Sequence, residues 1–319
     1  MNYKSHLRNP YTGRLSAGFR FRFNVRSISH HPLYLPLEMK DLPQIKLLLQ
    51  GSSPLEVFNR ISIQSARRAF NNLRKQFDFP FWAATEYYIK DISDPDQIVP
   101  LSLNHFQHQI ADTFLKRYFD RQPGRYIITK TFRRVGVSTC VQAYILWRQI
   151  YHCQKHSYTC SPSDISINPL KTNLCRFLNR DIVPSEKFLY LPMADRKAFF
   201  NTFRSPDYIR GIDLGFAHFV DMSRWNDPTG EVSSRAYTAA FGSVLLKHDT
   251  LIVLEGNIPK PDRFDMKSHQ NLFIPRKIRL IKLEHLSKNP FFLDHVVLAN
   301  IHNTQPHLFP INLNHSQNN

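Results

Sequence analysis

The chain has 319 residues, enough for one large domain or two of ordinary size, and its 42% of hydrophobic residues can fill a core of that size. Forty-two Lys and Arg against 25 Asp and Glu give a net charge of +17, which favours a polyanionic partner such as nucleic acid over an acidic small molecule. The alternative is a generically basic soluble protein, because the basic residues are spread along the chain. No run approaches the roughly 18 apolar residues of a membrane helix, so we expect a cytoplasmic protein.

Four cysteines occur, and their spacing shows neither a CxxC pair nor a Cys/His metal-ligand pattern: Cys140, Cys153, Cys160 and Cys175. The pattern therefore predicts buried, reduced thiols. No His falls at a metal-ligand spacing with another strong ligand, so the histidines are given no role.

The first 100 residues divide into two parts by composition. Residues 1–35 mix Arg, Tyr, Ser, His and Pro without periodicity, which predicts a flexible basic arm. Residues 36–100 contain apolar positions at helical spacing, a basic stretch from Arg67 to Lys75 and an aromatic-rich segment, and they are expected to form a small helical region. The basic stretch predicts a cationic helix face, either solvated or in contact with DNA phosphates.

Strand-like and helix-like segments alternate over residues 101–257, which predicts an α/β domain with a mainly parallel sheet flanked by helices. A helix is predicted over 104–118, with Phe106, Ile110 and Phe114 directed inward, and a second helix over 138–147. The predicted strands are residues 125–129, 157–160, 198–202, 217–220 and 250–254.

The segment from Lys130 to Thr139 joins a predicted strand to a predicted helix. Phosphate-binding loops occupy such junctions because backbone N–H groups and the helix N-terminus converge on an anion. The pattern G-x-x-x-x-G-K-[ST] fits imperfectly, with Val137 at the Lys position, but Gly136 and Ser138 are retained. The nearby cations that would meet phosphate charge are Lys130, Arg133 and Arg134. The alternative is that the segment is a basic surface loop.

A carboxylate follows the apolar run 216–220 at Asp221. In α/β folds, Mg²⁺ is held by a carboxylate at the C-terminal end of a buried strand together with the loop Ser. We therefore expect Asp221 at the end of the strand adjacent to the loop strand, within metal-bridging reach of Ser138. A turn or helix cap is the alternative for this Asp.

Four motifs in order resemble the large terminase subunit of double-stranded DNA phages, over roughly residues 77–257. They are Phe106-Gln107, FRRVGVST, Arg210-Gly211 with Asp221, and the helix and strand leading to Glu255-Gly256-Asn257. The resemblance implies a P-loop ATPase domain of the motor that packages DNA into proheads. The implied partners are double-stranded DNA, a small terminase subunit and a portal, with a possible homo-oligomeric ring, in a bacterial host or phage-infected cell.

The resemblance also implies roles for individual residues, with ATP and Mg²⁺ as cofactors. Gln107 would contact adenine, and the residues that would bind phosphates are Lys130, Arg133, Arg134, Gly136, Ser138, Thr139 and Arg210. Ser138 and Asp221 would hold the metal, and Asp221 and Arg134 would be catalytic. An exposed helix Gln and a surface Arg are the alternatives for Gln107 and Arg210.

The chain departs from the family pattern at three places. Met222 stands where the family has a Glu that orients the attacking water, so slow turnover is expected. The coupling motif is also altered, because the sequence reads Glu255-Gly256-Asn257 where the family has a small hydroxyl residue after the strand. Glu255 is expected either to substitute for the missing Glu or to be a solvent-facing strand end. Residues 258–319 lack the acidic series of a two-metal nuclease and are expected to be an atypical tail of a truncated or frame-disrupted gene. An inactive prophage relic and a basic DNA-binding protein remain alternatives.

Overall fold

A computed structural model describes the following parts of the chain: residues 20–91, 94, 96–119, 121, 124–130, 136–181, 183, 186–203, 209, 211–221, 239, 243–244, 249–257, 279–282 and 299–300. The chain divides into two compact units. The first comprises residues 1–121 and 146–152, and the second comprises residues 122–145 and 153–319.

The first unit begins with a β-hairpin in which β1 (Arg20–Phe23) pairs antiparallel with β2 (Leu33–Pro36). Alternation directs Phe23 and Leu35 into a core, where they are 1% and 0% exposed. Residues 20–35 therefore differ from the flexible arm expected for 1–35. The apolar alternation is short and interrupted by Arg and His, so its period was hidden in the sequence.

A buried ion pair network anchors this hairpin to the helices. Arg20 and Arg74 lie 2.9 and 3.0 Å from the two carboxylate oxygens of Asp78, and all three side chains are at most 4% exposed. Although burial by itself would raise the pKa of Asp78, the two guanidinium groups outweigh it and lower the pKa below its usual value. The network ties the start of the described chain to the end of a helix.

Short helices follow the hairpin, in the region expected to be helical. They are α1 (Leu37–Lys40), α2 (Pro43–Leu49), α3 (Pro54–Val57), α4 (Ile63–Phe77) and α5 (Phe79–Glu86). Ser62 and Ser65 form a capping box at the start of α4, which satisfies backbone donors of its first turn.

The basic residues of α4 do not all form the expected cationic face. Arg74 is buried against Asp78, Arg67 donates to the carbonyl oxygen of Ser27, and Lys75 lies 2.6 Å from Glu86. Arg68 is exposed. Three of the basic side chains of this helix therefore bind partners within the same unit.

The rest of the first unit contains a small ribbon of β3 (Tyr88–Lys90) and β4 (Ile98–Pro100), followed by α6 (His105–Phe119). The predicted helix over 104–118 is confirmed, and its inward residues Phe106, Ile110 and Phe114 are at most 8% exposed. Trp82 and Trp147 are buried among aromatic side chains, each ring lying within 6.2 Å of the Phe79 ring.

The second unit is built on an eight-stranded sheet. Its strands are β5 (Gly124–Lys130), β6 (His156–Ser161), β7 (Phe188–Leu191), β8 (Arg196–Thr202), β9 (Leu214–Phe219), β10 (Leu251–Asn257), β11 (Arg279–Lys282) and β12 (Ala299–Asn300). Their order across the sheet is β12-β11-β5-β10-β9-β6-β8-β7. The six central strands are parallel and the two edge strands are antiparallel, which confirms the mixed α/β class with a mainly parallel sheet.

Two helices of this part of the chain follow strands of the parallel sheet, the first leading to β6 and the second to the antiparallel edge strand β7. Helix α7 (Val137–Tyr151) follows β5 and crosses from the second unit into the first after Ile145, and α8 (Asp164–Phe177) follows β6. On one sheet face, apolar residues of several strands form a core that includes Tyr158, Phe219 and Ile252. Among the described residues, no helix combines the length and apolarity needed to cross a membrane.

The sheet continues into the segment expected to be an atypical tail. Strand β11 pairs parallel with β5, with Leu280 opposite Ile127, so at least residues 279–282 extend the sheet. The remainder of 258–319, apart from β12, lies outside the described residues.

Candidate functional site

The candidate site lies at the carboxyl end of the parallel sheet, where β5 and β10 are neighbours. Their register places Glu255 opposite Ile128 and Asn257 opposite Lys130. The chain continues from β5 to β6 on one side of this pair and from β10 to β11 on the other side. Adjacent strands whose chains leave in opposite directions mark a topological switch point, which is where open α/β sheets bind ligands.

The N-terminus of α7 follows the segment that leaves β5. Gly136 adopts φ +73°, a left-handed conformation that glycine enters at little cost, and its carbonyl oxygen accepts from Cys140 N at 2.9 Å. Ser138 and Thr139 are half-buried in the first turn of the helix. The first turn of a helix carries backbone N–H groups without intrahelical partners and a partial positive charge, so an anion is favoured there.

A side-chain contact joins this helix start to β10, because Ser138 Oγ donates a short hydrogen bond to Glu255 Oε1. Glu255 is 0% exposed. The alternative of a solvent-facing strand end for Glu255 is therefore wrong. Its carboxylate is directed at the serine of the predicted phosphate loop instead.

A chain of polar contacts continues from Glu255 across the same face of the sheet. Nε2 of the fully buried His218 lies 3.6 Å from Glu255 Oε2. On the other side of the ring, Gln142 Nε2 lies 2.8 Å from His218 Nδ1 and donates to Thr159 Oγ1 at 2.7 Å. In the neutral tautomer in which Nδ1 accepts from the Gln142 amide, the ring proton is on Nε2, facing Glu255.

Strand pleating explains why these side chains meet. His218 is directly opposite Thr159 in β6 and Val253 in β10, and Glu255 follows Val253 by two residues, so the three polar residues point to one face. Ser138 and Gln142 are four residues apart on α7 and therefore share one side of the helix.

Sequence reasoning gave His218 no role. The signal that could have found it is a His and a Glu at inward positions of two otherwise apolar strands.

Glu255 also affects a neighbouring cysteine. Burial first and the Glu255 charge second raise the pKa of the Cys140 thiol far above its usual value. The four cysteines are reduced and buried, as predicted.

Asp221 follows the end of β9 by two residues, as expected, but β9 is not the neighbour of β5. Strand β10 lies between them, which separates the strand axes of β5 and β9 by roughly 10 Å, two interstrand spacings. Asp221 is half-buried and adopts φ +52°, a left-handed conformation that Asp tolerates better than most residues. The carboxylate in contact with Ser138 is thus Glu255 and not Asp221.

The other predicted site residues are placed as follows. Gln107 is 5% exposed, and its Oε1 accepts from Asn104 N while its own N–H donates to Asn104 Oδ1, a reciprocal pair at the start of α6. Gln107 is therefore a capping residue and not an exposed helix Gln, and its adenine role stays a prediction. Lys130 ends β5, and its side chain lies outside the described part of the chain, as do Arg133, Arg134, Arg210 and Met222.

The oxygen donors at this edge of the sheet are of the kind that a hard cation such as Mg²⁺ takes. Within the described residues, no group of three or more His, Cys, Asp or Glu side chains is arranged to hold a metal ion. Mg²⁺ that accompanies a nucleotide needs only one or two carboxylates besides phosphate and water oxygens. The Ser138 hydroxyl and the carboxylates of Glu255 and Asp221 are oxygen ligands of that kind.

No protein-family model and no curated protein matches the chain. Among solved structures, the chain is similar to the large terminase from a thermophilic bacteriophage in complex with ADP, with a TM-score of 0.34 and 14% sequence identity. That alignment covers 48% of this chain and 38% of the terminase chain. A likeness at this level establishes neither a shared fold nor a shared activity.

Proposed function

We propose that the second unit is a P-loop ATPase domain of the terminase large-subunit type, which binds ATP and Mg²⁺ at the carboxyl ends of β5 and β10. The observation that carries the proposal is the contact between Ser138 and Glu255, a serine at a helix start bonded to a buried carboxylate at the switch point of a parallel sheet. Burying a carboxylate is costly, and a site that binds a cation is one reason for a fold to keep it.

The phosphates would bind at the N-terminus of α7. Gly136 makes the turn into the helix, and the backbone N–H groups of the first turn, with Ser138 and Thr139, face the anion. Lys130, Arg133 and Arg134 would neutralise phosphate charge, and Arg210 would contact the phosphates from the segment before β9. Donors that the fold already holds in place stabilise bound phosphate in the ground state as well as during the reaction.

Ser138 and Asp221 would hold the metal. Mg²⁺ supplies charge neutralisation for phosphoryl transfer when it is bound with the nucleotide. Asp221 and Arg134 are the proposed catalytic residues, Asp221 by holding the metal and Arg134 by stabilising charge that develops on the transferred phosphoryl group. Because Met222 cannot orient water as a Glu does, turnover is slow relative to binding.

The proposed partner is double-stranded DNA, which the net charge of +17 supports. A small terminase subunit, a portal and a homo-oligomeric ring are proposed with it, on the motif resemblance alone. The place of action is then the cytoplasm of a bacterial host.

The experiment compares ATP binding and ATP turnover in the parent protein, Met222→Glu and Asp221→Ala. Parent and Met222→Glu are expected to bind ATP with similar affinity, while Met222→Glu hydrolyses it about 10²- to 10⁴-fold faster, the usual contribution of a general base. Asp221→Ala is expected to lose Mg²⁺-dependent turnover.

Two results would contradict different parts of the proposal, the first its slow turnover and the second the nucleotide site itself. Brisk hydrolysis by the parent would show that another group orients the water. Absence of nucleotide binding in all three proteins, with DNA binding retained, would favour a basic DNA-binding protein without a nucleotide site.

A further inference from the structure

The nucleotide site proposed for this chain lacks the usual carboxylate after Asp221, yet a fully buried carboxylate already contacts the serine at the start of α7. We infer that Glu255 is a positioning residue for Mg²⁺ binding, which orients the Ser138 hydroxyl toward the cation and is itself held in place by His218 and Gln142. The inference rests on the proposed function and assigns roles to Glu255, His218 and Gln142.

The direction of the hydrogen bond determines what Ser138 can offer a cation. A hydroxyl has one proton and two lone pairs, and the Ser138 proton is given to Glu255 Oε1. The lone pairs are then available to a positive ion, and the nearby negative charge makes the oxygen a better ligand. A serine without this acceptor would rotate and lose that preference.

The second carboxylate oxygen explains how Glu255 is held. Its Oε2 lies 3.6 Å from His218 Nε2, longer than a normal hydrogen bond but close enough for electrostatic attraction. Both side chains are 0% exposed, so water does not screen the attraction. His218 thus restrains Glu255 while leaving room for a small shift when a cation binds.

Gln142 fixes the orientation of the histidine. Its amide lies 2.8 Å from His218 Nδ1 and donates to Thr159 Oγ1 at 2.7 Å, which holds the ring with Nε2 on the side of Glu255. Since Ser138 and Gln142 lie on successive turns of α7, the helix holds both ends of the chain of contacts. The serine is therefore oriented before a ligand arrives, as metal-binding groups supported by outer hydrogen bonds are.

The competing explanation is purely structural, with Glu255 serving only to anchor the start of α7. The two explanations differ in one quantity, the ratio of ADP affinity with Mg²⁺ to ADP affinity with EDTA. An anchoring role changes stability or both affinities together, whereas a positioning role for the cation changes the ratio. ADP is the probe because it cannot be turned over at the terminal phosphate.

The experiment measures that ratio by calorimetric titration of the full chain and its variants. For the parent, Mg²⁺ is expected to tighten ADP binding by about 10- to 100-fold. Glu255→Gln, which keeps the shape and removes the charge, is expected to lower the ratio by about 10-fold, and His218→Gln is expected to lower it by less. Asp213→Asn removes a largely exposed carboxylate from the same unit and should leave the ratio unchanged.

A double-mutant cycle tests whether Glu255 acts through Ser138. Ser138→Ala and Glu255→Gln should each lower the ratio, and the double variant should be little worse than Ser138→Ala, because the same ligand is lost. Additive losses would overturn the assignment. If Glu255→Gln does not fold, Glu255→Asp moves the carboxylate back by one methylene and should also lower the ratio, and an unchanged ratio would overturn the positioning role.

The outcomes also separate this inference from the proposed function. Mg²⁺-enhanced ADP binding with a parental ratio in Glu255→Gln would overturn the role of Glu255 and leave the ATPase proposal standing. Absence of ADP binding by the folded parent would overturn both.

Discussion

Replacing Asp78 by Asn should destabilise the first unit by about 3–5 kcal/mol, the range for removing one partner of a buried ion pair. The side chains of Asp78, Arg20 and Arg74 are 0%, 1% and 4% exposed, so the substitution removes a buried negative charge that contacts two buried guanidinium groups. A domain is stable by roughly 5–15 kcal/mol, so this loss removes a large part of the margin.

The matched control is Asp41→Asn, in the same unit. Asp41 lies 3.4 Å from Lys46, but the two side chains are 84% and 55% exposed, and exposed pairs of this kind contribute roughly 0–1 kcal/mol. Urea unfolding followed by tryptophan fluorescence suits the comparison, because the buried Trp82 and Trp147 both report on this unit. Equal midpoints for the two variants would refute the role assigned to the network.

The pH dependence of the same network has a defined sign. The pKa of Asp78 is lower in the folded chain than its usual value near 3.8. The network therefore makes its full contribution to the stability of the folded state at any pH well above 3.8. Its contribution is lost as the pH falls through the lowered pKa. Asp78→Asn should therefore lose stability less steeply than the parent under strongly acidic conditions.

Three further predictions concern other buried groups. Burial first, and then Arg148, lower the pKa of His152 to about 4. The free energy of unfolding should therefore decrease as the pH falls from about 6.5 to 4, by at most about 1.4 kcal/mol per pH unit. His152→Phe should flatten this pH dependence in urea titrations. Burial raises the pKa of the Cys160 thiol to about 12, so a thiol reagent at pH 8 should label the cysteines only after unfolding, and rapid native labelling would contradict their burial. Lys171 Nζ donates to the carbonyl oxygens of Val183, at 2.6 Å, and Glu186. Lys171→Met should therefore lower the free energy of unfolding by about 2–3 kcal/mol and speed proteolysis near those two residues. The control Lys187→Met, at an exposed position, should do neither.

Local sequence patterns were sufficient to predict the central elements of the second unit. The apolar runs that became β5, β6, β8, β9 and β10 are flanked by polar or turn residues, and the helix after Gly136 follows from a strand, a loop and an apolar periodicity. These signals lie within a few residues of each other, so they are present in the sequence without knowledge of the fold.

Contacts between distant segments could not be predicted in the same way. The order of the strands decides that Glu255, and not Asp221, faces Ser138, yet residues 138 and 255 are 117 positions apart. Likewise, Arg20 is read as part of a basic arm until Asp78, 58 positions later, is known to bind it. A single sequence contains both residues of each pair but no signal that joins them.

A crystal structure of the chain with ADP and Mg²⁺ tests the central claim most directly. The account predicts phosphate oxygens at the N-terminus of α7 and Mg²⁺ at about 2.0–2.1 Å from Ser138 Oγ, with Glu255 still accepting the serine proton. Nucleotide bound away from α7, or a metal that makes no contact with Ser138, would contradict it.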